Sequence, residues 1–323
     1  MNPHFFDGPW RTPEDYVLDI TEAIWERRGI HMLGGYYGPD LVVRSPASVV
    51  KGNRGIVAAT LATLAEFPDR ELPGEDVIWM PVGNAAFLSS HRLLCRTTHS
   101  APGAYGAPTG RRIAYRIIAD CHCEGASVTD EWLVRDQGAI VRQMGWKPEA
   151  WTRGQIAREG GPERCVRPYL PERDLPGPYG GSGNGHEAGA RLADALCRVM
   201  EGGAAPAEEW DAGAELHHPG HRDAHGRAAA AGFWLGLRAA LPGAAFRVHH
   251  AIGRNDPMMP PRAAVRWSLD GAHDGPGPFG PPTGARLHVM GMTHAEWGPG
   301  GIRREWTLYD ETAVWRQVVL AGG

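Results

Sequence analysis

The residues best suited to chemistry lie in one strand-like run, IAYRIIADCHC at 113–123. Alternation puts Ala114, Arg116, Ile118, Asp120 and His122 on one face, and Tyr115, Ile117, Ala119 and Cys121 on the other. If the first set lines an apolar cavity, Asp120 is a base with Arg116 as its partner, because burial raises a carboxyl group toward proton affinities useful near neutrality. If that set faces water, Arg116, Asp120 and His122 are an ordinary wet sheet surface. The pattern alone leaves both readings open. The first would suit removal of a proton next to a carbonyl, with His, Arg or Tyr as donor to the enolate oxygen.

A second constellation is HHPGHRDAH at 217–225, with His217, His218, His221, His225 and Asp223, followed by His249-His250. The i, i+4 spacing of His217/His221 and His221/His225 suits metal ligation from one helix face. Pro219 and Gly220 break such a helix, so a solvated loop or pocket rim is preferred and no metal or other cofactor is expected. The five cysteines, Cys95, Cys121, Cys123, Cys165 and Cys197, have no CxxC spacing and are odd in number, which favours buried thiols over a disulfide framework or zinc site.

The elements that must hold these residues occur twice. A shift of 174 positions lays Gly52–Gln143 over Gly226–Gln317, matching Leu61/Leu235, Pro68/Pro242, Arg92/Arg266 and His99/His273. It also sets APGAYGAPTGRR (101–112) over GPGPFGPPTGAR (275–286), and Glu131-Trp132 over Glu305-Trp306. A period this long is a domain, since solenoid units run about 20–50 residues. Each copy begins with helices. Thr12-Pro13-Glu14-Asp15 is a helix start, with Val17, Ile20 and Ile24 at helical spacing. Leu192, Leu196, Val199 and Met200 do the same in the second copy. Further helices are expected near 54–67 and 227–241, each stopped by proline. Val-, Ile- and Thr-rich segments at 76–80, 85–98, 111–123 and 127–135 then predict a curved antiparallel meander covered on one face by the helices. Residues 151–184, rich in Pro and Gly, read as an extended linker between domains at 1–150 and 185–323, with Trp151, Tyr169, Leu170 and Tyr179 as anchors to a domain surface.

With 42% hydrophobic and 22% charged residues, the composition is that of a globular protein. A net charge of -4 argues against a nucleic-acid partner. No apolar run approaches a membrane span, and the N-terminus lacks a signal-peptide pattern, so a cytoplasmic location is expected.

The first copy reads YYGPDLVVRSP, KGNRGIVAATLATLAEFPD, HRLLCRTTHSAPGAYGAPTGRRI and SVTDEWLVRDQGAIVRQMG. This resembles the SnoaL-like polyketide cyclase branch of the nuclear-transport-factor-2-like superfamily, over nearly all of residues 14–147. The second copy is similar but more divergent. The resemblance implies an α+β fold of two tandem cone-shaped barrels, each a bent, mostly antiparallel sheet wrapped by helices around an apolar pocket. It also implies pairing of the copies within one chain, or a homodimer, through the outer sheet faces.

For activity the resemblance implies a cofactor-free cyclase, isomerase or hydratase acting on a small apolar carbonyl compound. Asp120 would be the base, with His99 at the family's T-H-x-G position and Arg92 as charge stabiliser. Arg116, His122, Tyr115, Trp132, Arg266, His273 and His294 are candidates for substrate contact. Structural alternatives stand beside these roles: His99 and His273 could order the following turn, and Arg92 could pair with Glu131 across the sheet. A non-catalytic ligand-binding or assembly module is the rival reading. The second copy has His294 at the Asp120 position and Glu296 at that of His122, so the two sites are not expected to be equivalent.

Overall fold

The computed structural model describes residues 5–202 and 208–322. The chain forms two compact units. One comprises residues through Arg135 together with 139–146 and 169–180; the other comprises 136–138, 147–168 and residues from 181 onward.

The first unit opens with α1 (Pro13–Thr21), whose start is a capping box: the Thr12 hydroxyl accepts from the Asp15 amide and the Asp15 carboxylate accepts from the Thr12 amide. A π-helical turn and the short α2 (Leu33–Tyr36) lead to the hairpin β1 (Tyr37–Ser45) and β2 (Ser48–Lys51). Next come α3 (Asn53–Glu66), β3 (Gly74–Val82), β4 (Ala86–Thr98), β5 (Arg112–Glu124) and β6 (Ser127–Arg135). The sheet order is β2-β1-β6-β5-β4-β3. The predicted meander is therefore present, but the sheet is mixed, because β1 joins β6 in parallel with Val43 opposite Glu131.

After α4 (Gln137–Gln143), the stretch read as an extended linker begins with an eleven-residue helix, α5 (Pro148–Arg158), nucleated by Pro148 at its first turn. The second unit then repeats the plan: α6 (Glu187–Gly202), β7 (Trp210–His218), β8 (Arg222–His225), α7 (Arg227–Ala240), β9 (Ala245–Arg254), β10 (Arg262–Ala272), β11 (Arg286–Gly298), β12 (Gly301–Tyr309) and α8 (Glu311–Ala321). Its sheet order, β8-β7-β12-β11-β10-β9, is that of the first unit. The histidine-rich stretch is thus not a loop. His217 and His218 end β7, His225 lies on β8, and only Pro219–His221 make the turn. Gly220 has φ 87° and His221 φ 54°, so two successive residues take the left-handed conformation that closes this tight hairpin.

Several shared residues specify the scaffold. Gln143 clamps the Ala114 backbone, donating to its carbonyl at 2.6 Å and accepting from its amide at 2.9 Å. Gln317 makes the same pair of bonds to His288, at 2.9 and 2.7 Å. Each glutamine thereby satisfies backbone groups of the penultimate strand from the helix that follows the last one.

The two faces of each sheet differ in kind. In the first unit α1 packs Tyr16, Val17 and Ile20 over the face that carries Phe87 and Cys123. This inner face therefore displays Tyr115, Ile117, Ala119, Cys121 and Cys123 of β5. In the second unit the inner face carries Val265, Trp267 and Leu269 of β10, and Leu287, Val289 and Ala295 of β11. No helix among the described residues is long and apolar enough to cross a membrane.

Candidate functional site

Five of the expected residues, Asp120, Arg92, Arg116, His122 and Trp132, share one sheet face, the outer one. Asp120 sits opposite Ser90 on β4 and Trp132 on β6, on the outer sheet face, and accepts from the Ser90 hydroxyl at 2.6 Å. Arg92, Arg116 and His122 share that face. Arg92 and Arg116 both reach Glu75, with nitrogen–oxygen distances of 3.1 and 2.9 Å, and hold its carboxyl below the usual range against the opposing effect of burial. Arg92 therefore does not pair with Glu131, which lies on the inner face opposite Cys121. His122 contacts the Thr129 hydroxyl at 2.8 Å. Trp132 carries the Arg44 guanidinium 4.3 Å above its ring, and Arg44 is in turn ion-paired with Asp130 and Asp174. In the second unit Arg266 and His294 lie on the corresponding outer face.

His99 and His273 occupy turns. Their backbones bracket the Gly/Pro loop, and Nδ1 lies 3.1 Å from Thr109 in one copy and 3.0 Å from Thr283 in the other. In the first copy His99 Nε2 also lies 3.1 Å from Glu66, which accepts from the amides of Ala104 and Tyr105. This geometry serves the loop. Tyr115 alone of the ten candidates faces the cone interior.

β5 alternates as expected, and its apolar set is the one that faces the helices. Helices seek the more apolar set, and Tyr115/Ile117/Ala119/Cys121 outranks Arg116/Ile118/Asp120/His122 on that scale. The polar residues of the inner side that the sequence did not single out are Tyr37, Ser89, His91 and Glu131, with Arg70 near Tyr115 and Cys95.

Glu131 is 5% exposed, and no described residue hydrogen-bonds its carboxylate. Burial, reinforced by the nearby Asp130, raises its pKa to about 7. The Tyr37 hydroxyl is pushed far up by burial first and by the Glu131 charge second, so the phenol stays protonated beside that carboxylate. The strand neighbours of Glu131, Val43 and Cys121, both keep solvent-accessible surface although they sit at the centre of a six-stranded sheet. Cys121 is ringed by protein and its thiol is driven up by burial, then by Glu131. Val43 and Cys121 are both partly buried and pack against the apolar cluster of the first unit. Along β4 lie Ser89 and His91, whose Oγ and Nε2 are buried without a hydrogen-bond partner. Burial, with Arg92 adding to it, lowers His91 to about 3, so this ring is neutral.

The second interior is built from the same plan and filled. Trp234, Trp267 and Trp297 stand where the first copy has Thr60, Leu93 and Cys123. Gly291 makes room for Trp267: a Cβ there would fall 2.1–2.4 Å from its indole. Leu216 and Ala295, the neighbours of Glu305, are 0% and 1% exposed. Glu305 itself accepts from Trp210 Nε1 at 2.5 Å and from Thr307 Oγ1 at 2.6 Å, with His218 Nε2 at 3.5 Å. Thr307 continues to Thr293 and on to Trp267 Nε1, at 3.0 Å each. Burial alone would raise Glu305, but the nearby His218 and the Thr307 and Trp210 donors outweigh it and hold the group below its ordinary value. One carboxylate has no hydrogen-bond donor among the described residues, and its duplicate accepts from Trp210 and Thr307.

Among the described residues no group of three or more His, Cys, Asp or Glu is arranged to hold a metal ion. His217 instead bridges Asp223 and Glu215, at 2.7 and 3.3 Å, while stacking on Trp306.

Residues 202–318 match the family described as SnoaL-like polyketide cyclase. No curated protein matches the chain. Among solved structures the chain is similar to IdmH, a candidate polyketide cyclase from Streptomyces antibioticus, with 21% identity and a TM-score of 0.36 over 42% of this chain and 99% of that one. A candidate polyketide cyclase from Acidithiobacillus ferrooxidans shares 17% identity, with a TM-score of 0.36 over 42% and 97% of the two chains. TsrD from Streptomyces laurentii shares 19%, with a TM-score of 0.36 over 43% and 98%. The residues that the family match covers, 202–318, are the second copy, and the first copy repeats its strand order and its motifs.

Proposed function

We propose that the first cone is the catalytic one and that it performs cofactor-free proton abstraction on a carbonyl compound, as a cyclase or isomerase does. The observation that carries this reading is the pair Glu131 and Glu305: aligned carboxylates, of which only the first is without hydrogen-bond donors and flanked by accessible surface. A carboxyl group with a pKa of about 7 is half ionised near neutrality, where a general base works best. Glu131 takes a proton from the carbon next to the carbonyl, and the C–H electron pair moves into the enolate oxygen. The Tyr37 hydroxyl, kept protonated by burial and by the Glu131 charge, would be the donor to that charge. Return of the proton from Glu131 to a different carbon gives isomerisation. Attack of the enolate carbon on a second carbonyl, with Glu131 protonating the new alkoxide, gives ring closure.

The second cone, packed with indole rings, is read as a scaffold without turnover of its own. The test is Glu131→Gln in the full chain, which keeps the shape and removes the base. Turnover of a cyclisable polyketone should fall at least a hundredfold while the circular-dichroism spectrum stays unchanged. Wild-type turnover by the variant would overturn the assignment.

A further inference from the structure

Arg70 is 4% exposed, and neither its Nε nor its Nη2 has a hydrogen-bond partner. No ion pair involves it among the described residues. These two N–H groups form one edge of the guanidinium fork, the edge that receives both oxygens of a carboxylate side by side. Among the described residues no carboxylate hydrogen-bonds or ion-pairs with it; Glu26, which accepts from the Leu72 amide and acts on Cys95, is the nearby acid. The groups that act on it are the Tyr115 hydroxyl, the Cys95 thiol, and two further cations, Arg135 and Arg28, the last of which donates to the Arg70 carbonyl at 2.8 Å. Burial and the like charges of Arg135 and Arg28 bear on the group together, and the Cys95 and Tyr115 hydrogens are themselves held firmly by burial.

Burying a cation without a hydrogen-bonded partner is costly, and a carboxylate from a ligand would offset that cost. The second copy has Ala244 at this position, so the feature belongs to the first unit alone. Tyr115, Cys95 and Arg135 all lie on the inner sheet face, which places Arg70 over the same interior as Glu131. Along β6, Arg135 is four steps on from Glu131, about 13 Å of strand.

We propose that Arg70 is the anchor for a carboxylate carried by the substrate of the first cone. This deepens the reading of that cone as the reaction site and rests on it. The substrate class is then an organic acid whose reacting carbon lies several bonds from its carboxylate, because Glu131 and Arg70 sit at different levels of the cone. A short 2- or 3-oxo acid does not span them.

The test measures binding to the full chain by titration calorimetry with three probes: 1-naphthylacetate, its neutral analogue 1-naphthylacetamide, and inorganic phosphate. The expected result is binding of the carboxylate at least tenfold tighter than the amide. That preference should vanish in Arg70→Met and weaken in Arg70→Lys, which keeps the charge but loses the fork. Glu131→Gln should retain the carboxylate preference, so loss of turnover in that variant and loss of anchoring in Arg70→Met are separate readouts. Equal affinity for acid and amide, or an acid preference that survives Arg70→Met, would overturn the proposal. So would an Arg70-dependent response to phosphate without one to the naphthyl acid, since that marks a site for a free inorganic anion. If Arg70→Met fails to fold, the comparison of acid with amide on the wild-type chain and on Arg70→Lys still decides.

Discussion

Replacing Glu131 with Gln should change stability in a way that depends on pH, and the sign follows from the structure. The group titrates near 4.5 when unfolded and at about 7 when folded. Below pH 4.5 it is protonated in both states and affects folding little. Between the two values the unfolded chain loses the proton and the folded chain keeps it, so stability falls as pH rises. Above 7 both states are ionised, and the fold bears the whole cost of a buried carboxylate. Two and a half decades of proton affinity correspond to about 3 kcal/mol. The Gln variant has no such charge to bury. It should match wild type within about 1 kcal/mol at pH 5 and exceed it by up to ~3 kcal/mol at pH 8.5. Native-state hydrogen exchange of peptides covering β5 and β6 isolates the first unit, and comparing both proteins at each pH cancels the intrinsic exchange rate. A difference that does not change between pH 5 and 8.5, or that favours wild type at the higher pH, would refute the claim that Glu131 is buried without a compensating donor. The same titration should shape activity, with turnover rising through pH 7 as the base form appears.

Two further outcomes test the scaffold. Glu66→Ala removes the acceptor for His99 and for the Ala104 and Tyr105 amides, so stability should drop by about 2–4 kcal/mol, with faster amide exchange at 103–106. Gly291→Ala forces a methyl group into the Trp267 ring and should cost about 1–3 kcal/mol, seen as a lowered melting temperature; adding Trp267→Leu should recover part of it, because the first copy pairs Leu93 with Ile117 at the same place.

The layout was largely legible in the sequence because it rests on local signals. The Thr12 cap, the prolines after α3 and α7 and the β-rich segments each point to one element, and the repeat confirms them in pairs. The β1–β6 pairing was not legible, since parallel neighbours distant in sequence leave no turn signature between them. The inward face of β5 was harder to read for a more specific reason. In β5 the polar residues attract attention as chemistry, yet burial of the apolar alternate set decides which face looks inward. Glu131 was visible as a duplicated residue, and duplication argued for structure. What separates it from Glu305 is the company it keeps: Tyr37 for Trp210, Leu133 for Thr307 and Cys121 for Ala295. That difference is spread over three strands and becomes apparent only when they are assembled. Arg70 carried no motif at all.

The parallel join between the first and last strands of each unit has a consequence for how the chain sorts itself. Val43 meets Glu131, and Leu216 meets Glu305, across roughly ninety residues in each copy, so neither sheet is sealed until its final strand has been made. Two copies with the same strand order offer each other a wrong closing strand, the characteristic misassembly of tandem domains. Their interiors make the exchange unfavourable. Thr307 on β12 belongs beside Thr293, whereas the first sheet would seat it against Ala119 and bury its hydroxyl without that partner. The divergence that gave the two cones different interiors also identifies which last strand belongs to which sheet.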